Sequence, residues 1–336
     1  MDRKLKLGVI AGVAALVIAG GGYVFLTSDK DKPAYAIETV ERAVENHNKA
    51  DFYKVVNLES ILEESYFSIV ECVTDADKTM TADARIAIKN FTEMLREPLL
   101  LSLKAAVDSY IETGEFNKEE NASVKTLLER TGLDKLQYKG VESVELNSRN
   151  SKEATAKVRI FQPEIAQDFT FNVLLRRNSK GDWQIVSLQN FSDFINKLNE
   201  IRRVQLDKYL EQTTAINSRH DAIILDAEQK YNSILQEGTL RQDETRAALK
   251  ALMLDIIKKD WEARKQELFE ISVPQGAKTL HNLRMKICDL EIGYAEDYAQ
   301  WMDDKKAATA KSAEDKKKLS QTLRAEDNAL TRRMSN

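Results

Sequence analysis

Hydrophobic residues change their spacing several times along this chain. Residues 7 to 26, LGVIAGVAALVIAGGGYVFL, form one apolar run without a charged residue. From Ala36 to Gly132 apolar positions recur every three or four residues, the period of a helix buried on one side. Between residues 141 and 188 they alternate, as in a half-buried strand. The stretch GDWQIVSLQNFSDFINKLNE, residues 181 to 200, holds the change back: alternation stops at Leu188 and helical spacing starts at Phe191. No glycine or proline linker separates the two, so the pattern predicts a domain junction without a hinge.

Within residues 33 to 190 the elements follow from this pattern. Pro33 suits a first helical turn, and Ala36, Val40, Ala43 and Val44 make its stripe. The polar NHNKAD interrupts the stripe, with Asp51 placed to cap the next helix. Residues 58 to 73 read as helix. A longer helical pattern runs from Thr81 to Thr113, where Pro98 should kink or divide it near Glu97 and Gly114 should close it. A short helix then ends at Gly132. Strands are predicted over 141 to 146, 153 to 161, 168 to 177 and 182 to 188, joined in part by the turn-forming NSRNSK and RNSKG. Helices first and a meander after them predict an α+β domain, its helices packed on a four-stranded antiparallel sheet.

Residues 191 to 310 predict an all-α, antiparallel bundle of long helices. The first carries a seam from Phe191, Phe194, Ile195 and Leu198 to Tyr231 and Ile234, and Gly238 ends it. The second shows Leu249, Leu252, Met253, Ile256, Ile257, Trp261, Leu268 and Ile271, and Pro274 opens the third. The third seam is Ala277, Leu280, Leu283, Ile287, Leu290, Tyr294, Tyr298 and Trp301. Residues 311 to 336 alternate in charge and thin out in apolar residues, so they read as a charged helix or a frayed tail.

The apolar run at residues 7 to 26 is long enough for a transmembrane helix through a ~30 Å hydrocarbon core. Arg3, Lys4 and Lys6 precede it, which keeps residues 1 to 6 in the cytoplasm and places the bulk of the chain outside the cytoplasmic membrane. The competing reading is a signal peptide cut between Ala19 and Gly22. An anchored chain has the lipid bilayer as its first partner, through residues 7 to 26.

Composition narrows the function classes. Charged residues are 31% of 336, aromatics 7%, and the net charge is -4 without a basic run interleaved with aromatics, so nucleic acid is not expected as a partner. Two cysteines, Cys72 and Cys288, allow a disulfide or two buried thiols, and no CxxC pair offers a metal site. His47, Asp51, Tyr66 and Tyr110 are the polar candidates in the first domain, each with a cap, loop or core role open to it. His220 and His281 lie on or beside bundle seams, as ligands, switches or core histidines. Tyr294, Tyr298 and Trp301 line a groove or fill the core. No catalytic, cofactor-binding or metal-binding set emerges, so no enzyme activity and no cofactor are expected.

The turn GDW followed by QIVSL, closing a meander after N-terminal helices, resembles the nuclear-transport-factor-like, cystatin-like α+β superfamily. PAYAIETVERAVENHNKADFYKVVNLESILEES at the start resembles a family of bacterial, membrane-anchored domains of unknown function. The likeness covers residues 33 to 195 and implies a conical pocket between sheet and long helix. It leaves activity open, because that superfamily hosts enzymes, binding modules and scaffolds. The sequence thus predicts a cell-envelope binding or scaffold protein, whose partner is an envelope protein, a small ligand or a second copy. The alternative is a small-molecule or enzymatic pocket in the α+β domain.

Overall fold

A computed structural model describes residues 29–75, 82–114, 129, 131–147 and 152–335. The described chain forms two compact units, divided between Ile201 and Arg202. The expected short helix before Gly132 falls almost wholly outside the described residues, as do the side chain of Cys72 and the apolar run 7 to 26. Among the described residues no helix is long and apolar enough to cross a membrane.

The first unit opens with α1 (Ala34–Glu45), α2 (Lys49–Val55), α3 (Leu58–Asp75) and α4 (Ala82–Thr113). Asn48, rather than Asp51, caps α2: its side-chain oxygen accepts the Asp51 N–H at 3.0 Å, and Asp51 itself sits in the first turn. Pro98 does not divide α4, which runs through it. Its ring lies on the exposed face beside exposed Met94, where water can meet the carbonyl that loses its helical donor. Gly114 ends α4 at a φ of 72°, and a side chain there would strike the ring of His47.

The sheet is an antiparallel meander in the order β1-β2-β3-β4, with β1 (Gln137–Leu146), β2 (Glu153–Gln162), β3 (Gln167–Arg177) and β4 (Trp183–Leu188). Its alternation is clean in β2, where Ala154, Ala156, Val158 and Ile160 point inward. β1 starts four residues earlier than its period suggests, because the pairing slips at Gly140 and breaks the alternation there. The GDW turn has a specific task. The Trp183 indole N–H and an Arg177 guanidinium N–H both donate to the Asp31 carbonyl, at 2.9 and 2.8 Å, and tie the incoming chain to the β3–β4 hairpin.

Helix α5 (Phe191–Glu237) starts directly after β4. The boundary between units lies inside it, beyond the change of period, because Phe191, Phe194, Ile195 and Leu198 are buried in the core of the first unit. There the rings of Phe169, Phe171, Phe191 and Phe194 pack together with centroids 4.9 to 6.5 Å apart.

In the second unit α5 is followed by α6 (Asp243–Ala251), a π-helical segment (Leu252–Lys258), α7 (Lys259–Glu270), α8 (Lys278–Asp304) and α9 (Ala307–Ser335). The charged C-terminal stretch is a 29-residue helix packed along α8. Leu330 and Met334 join Tyr209, Ala277 and Leu280 in a small apolar cluster, which gives this tail a place in the bundle.

Candidate functional site

Four helices of the second unit each turn one face toward a common cleft of about 330 Å³. The lining positions follow helical spacing in every case: Thr214, Asn217, Ser218 and Asp221 on α5; Trp261, Arg264 and Leu268 on α7; Arg284, Ile287 and Cys288 on α8; Arg324, Asp327, Asn328 and Thr331 on α9. The floor combines Arg264, Arg284 and Trp261 with the apolar Leu268, Ile287 and Cys288, and the rim carries amides and hydroxyls.

Three guanidinium groups dominate it. Arg264 and Arg284 are almost wholly buried, each about 4% exposed. Arg264 donates to Asp221 at 2.7 Å and stacks 4.0 Å from the centre of the Trp261 ring. The Arg324 guanidinium lies 4.7 Å from the same ring and donates to Glu291 at 3.0 Å. Arg284 spends its fork on the protein: on Asp327 at 2.7 Å, on Thr331 at 2.8 Å and on the Thr213 hydroxyl. Glu291, 1% exposed, is held by Ser320 at 2.7 Å and Lys317 at 3.1 Å as well as by Arg324. Charges buried to this degree persist only when paired, and each has its partner.

Two further groups answer to this environment. Burial pushes the Cys288 thiol up to about 12, so it stays protonated and unreactive as a free thiol; it forms no disulfide. Burial, with the positive charge of Arg284 second, lowers the His281 pKa. The π segment lies immediately before α7. A π turn adds a residue to the helical repeat and turns the following face, which carries Asp260, Trp261 and Arg264 inward.

The polar residues singled out from the sequence are dispersed rather than assembled. His47 Nδ1 donates to the Ile111 carbonyl at 3.0 Å, and Asp51 pairs with Asn48 and Lys54 near the start of α2. The Tyr66 hydroxyl donates to the Thr92 carbonyl, and Tyr110 packs at the edge of the first core. His220 is a buried histidine with Nδ1 2.7 Å from Asp260; its other nitrogen faces Glu267 at 3.5 Å, where a nucleophile would have to stand. Tyr294, Tyr298 and Trp301 pack ring against ring at 5.5 to 5.8 Å, and the Tyr298 hydroxyl bonds that of Tyr231 at 2.6 Å. The cleft itself escaped the sequence reading. Its signal was present, however: Arg284 and Glu291 fall four residues after Leu280 and Ile287, at buried positions of α8.

The arrangement offers guanidinium forks and an indole in a recess, groups that can hold an anion. No family model, curated protein or solved structure matches the chain.

Proposed function

We propose that this chain is a membrane-tethered binding protein of the bacterial cell envelope, and that its helical unit holds the ligand. The observation that carries the reading is the arginine-floored cleft, to which four helices contribute side chains in register. The tether rests on the apolar run 7 to 26 with Arg3, Lys4 and Lys6 before it.

The alternative, a pocket in the α+β unit, loses support from the packing of that unit. An enzymatic pocket needs polar groups that converge. Among the described residues, phenylalanine rings, Leu175, Ile185 and Leu198 lie in the interior between sheet and helices instead.

Native mass spectrometry of the full chain, released from detergent micelles, tests the reading. A reproducible added mass on the monomer is the expected result. A bare monomer that also binds none of the added acids or sugars overturns ligand binding, and a bare oligomer replaces it with self-association.

A further inference from the structure

We infer that the four-helix cleft recognises a small hydroxylated carboxylic acid, whose carboxylate takes up the free terminal nitrogen of Arg264 or of Arg324. This rests on the reading of the helical unit as the binding part, and adds the chemistry of its ligand.

Charge sets the first condition. Of the charged side chains that line the cleft, Arg264, Arg284 and Arg324 stand against Asp221 and Asp327, three cations to two carboxylates. The surplus of one positive charge matches one carboxylate. A phosphate monoester carries close to two negative charges at neutral pH and would sit beside Asp221 and Asp327, which repel the second.

Donor geometry sets the second. Arg264 and Arg324 each spend a single terminal nitrogen on a protein carboxylate. Among the described residues no acceptor meets their other terminal nitrogen. Arg284 has no such reserve, since Asp327, Thr331 and Thr213 occupy all three of its nitrogens. The Trp261 ring lies against both guanidinium groups and fixes their planes, so that little side-chain entropy remains to be lost when an anion arrives. A planar fork held in this way suits a planar carboxylate.

The rim sets the third. Asn217, Ser218 and Asn328 present amides and a hydroxyl at the mouth, which suit a ligand with hydroxyl groups rather than an alkyl chain. The volume is at the lower end of that of small-molecule sites, so the ligand is of sugar-acid size.

Calorimetric titration of the full chain in detergent tests this with lactate, gluconate and glucuronate. Glucose serves as the neutral counterpart of glucuronate, and glucose 6-phosphate as the dianionic one. Saturable binding of at least one of the acids is expected, at least about tenfold tighter than glucose or the phosphate, which is about 1.4 kcal/mol. Arg264→Gln should weaken it by about tenfold or more. Because that change also removes packing from Trp261, Ser218→Trp provides an independent check: it fills the mouth from an exposed rim position and should abolish binding without lowering the melting temperature. Absence of heat with all three acids up to about 20 mM overturns the inference, as does binding that neither variant alters.

The failures are separable. Glucose or phosphate binding that Ser218→Trp removes overturns the carboxylate but keeps the binding unit. An added mass in native mass spectrometry with no response to the acids does the same. A bare monomer without response to any probe removes both readings.

Discussion

Glu41 on α1 is partly buried, and burial, with the nearby charges of Glu45 and Glu38, raises its carboxyl from the ordinary 4.5 to about 7. A folded-state pKa above the unfolded one means that the native chain binds the proton more tightly. Its stabilising effect is therefore complete below pH 4.5 and is lost as the pH rises through 7. Thermal melting of Glu41→Gln against wild type should show the wild-type melting temperature falling across that window and the variant's profile flatter. The pair of buried Arg284 with partly buried Asp327 makes a second residue-scale case. Arg284→Met should cost about 1–3 kcal/mol in chemical denaturation, because it leaves the partly buried Asp327 without its guanidinium partner. Adding Asp327→Leu should recover a large part of that loss, and equal costs for single and double variants would refute the pairing. Neither charge was legible beforehand as a buried residue. A seam traced through apolar letters alone skips Arg284 and Glu291, although both occupy its inner positions. Burial of a charge depends on partners from other helices, here Asp327 and Ser320, and no single segment encodes them.

At the scale of elements the meander was nearly complete in the sequence, since β2, β3 and β4 depart from their alternating runs by a residue or two. Alternation is a local property, and Val, Ile, Phe and Thr carry it plainly there. The π segment was invisible, for periodicity cannot distinguish a helix with one added residue from one whose apolar face simply broadens. Pro98 misled in the other direction. The general rule divides a helix at proline, but the rule weakens where the orphaned carbonyl faces water. Since α4 tolerates Pro98 rather than needing it, Pro98→Ala should stabilise the first unit by about 1–3 kcal/mol in urea unfolding, the helix-interior penalty less the entropy that proline removes from the unfolded chain. A loss of stability would mean that the ring makes a contact of its own.

For the molecule as a whole the open matter is location, and the expected behaviour is specific. Full-length chain should pellet with membranes and resist carbonate extraction, whereas chain beginning at residue 29 should not. Protease added to spheroplasts should reach both units if the amino-terminal tail faces the cytoplasm. Recovery of the full-length chain in the soluble fraction would refute the tether, and protection from the protease would refute the orientation. An envelope compartment is oxidising, and a lone thiol there is exposed to mixed disulfides and to irreversible oxidation. In such a compartment Cys288 would escape, because it is 1% exposed and its proton is held to about 12, so it can react only while the bundle is open. In a Cys72→Ser background this sulfur is the one thiol left in the chain, and the rate at which a maleimide consumes it measures how often the four helices part. The chain thus carries its own clock for breathing, set at the floor of the cleft, and an occupied cleft should make it run slow.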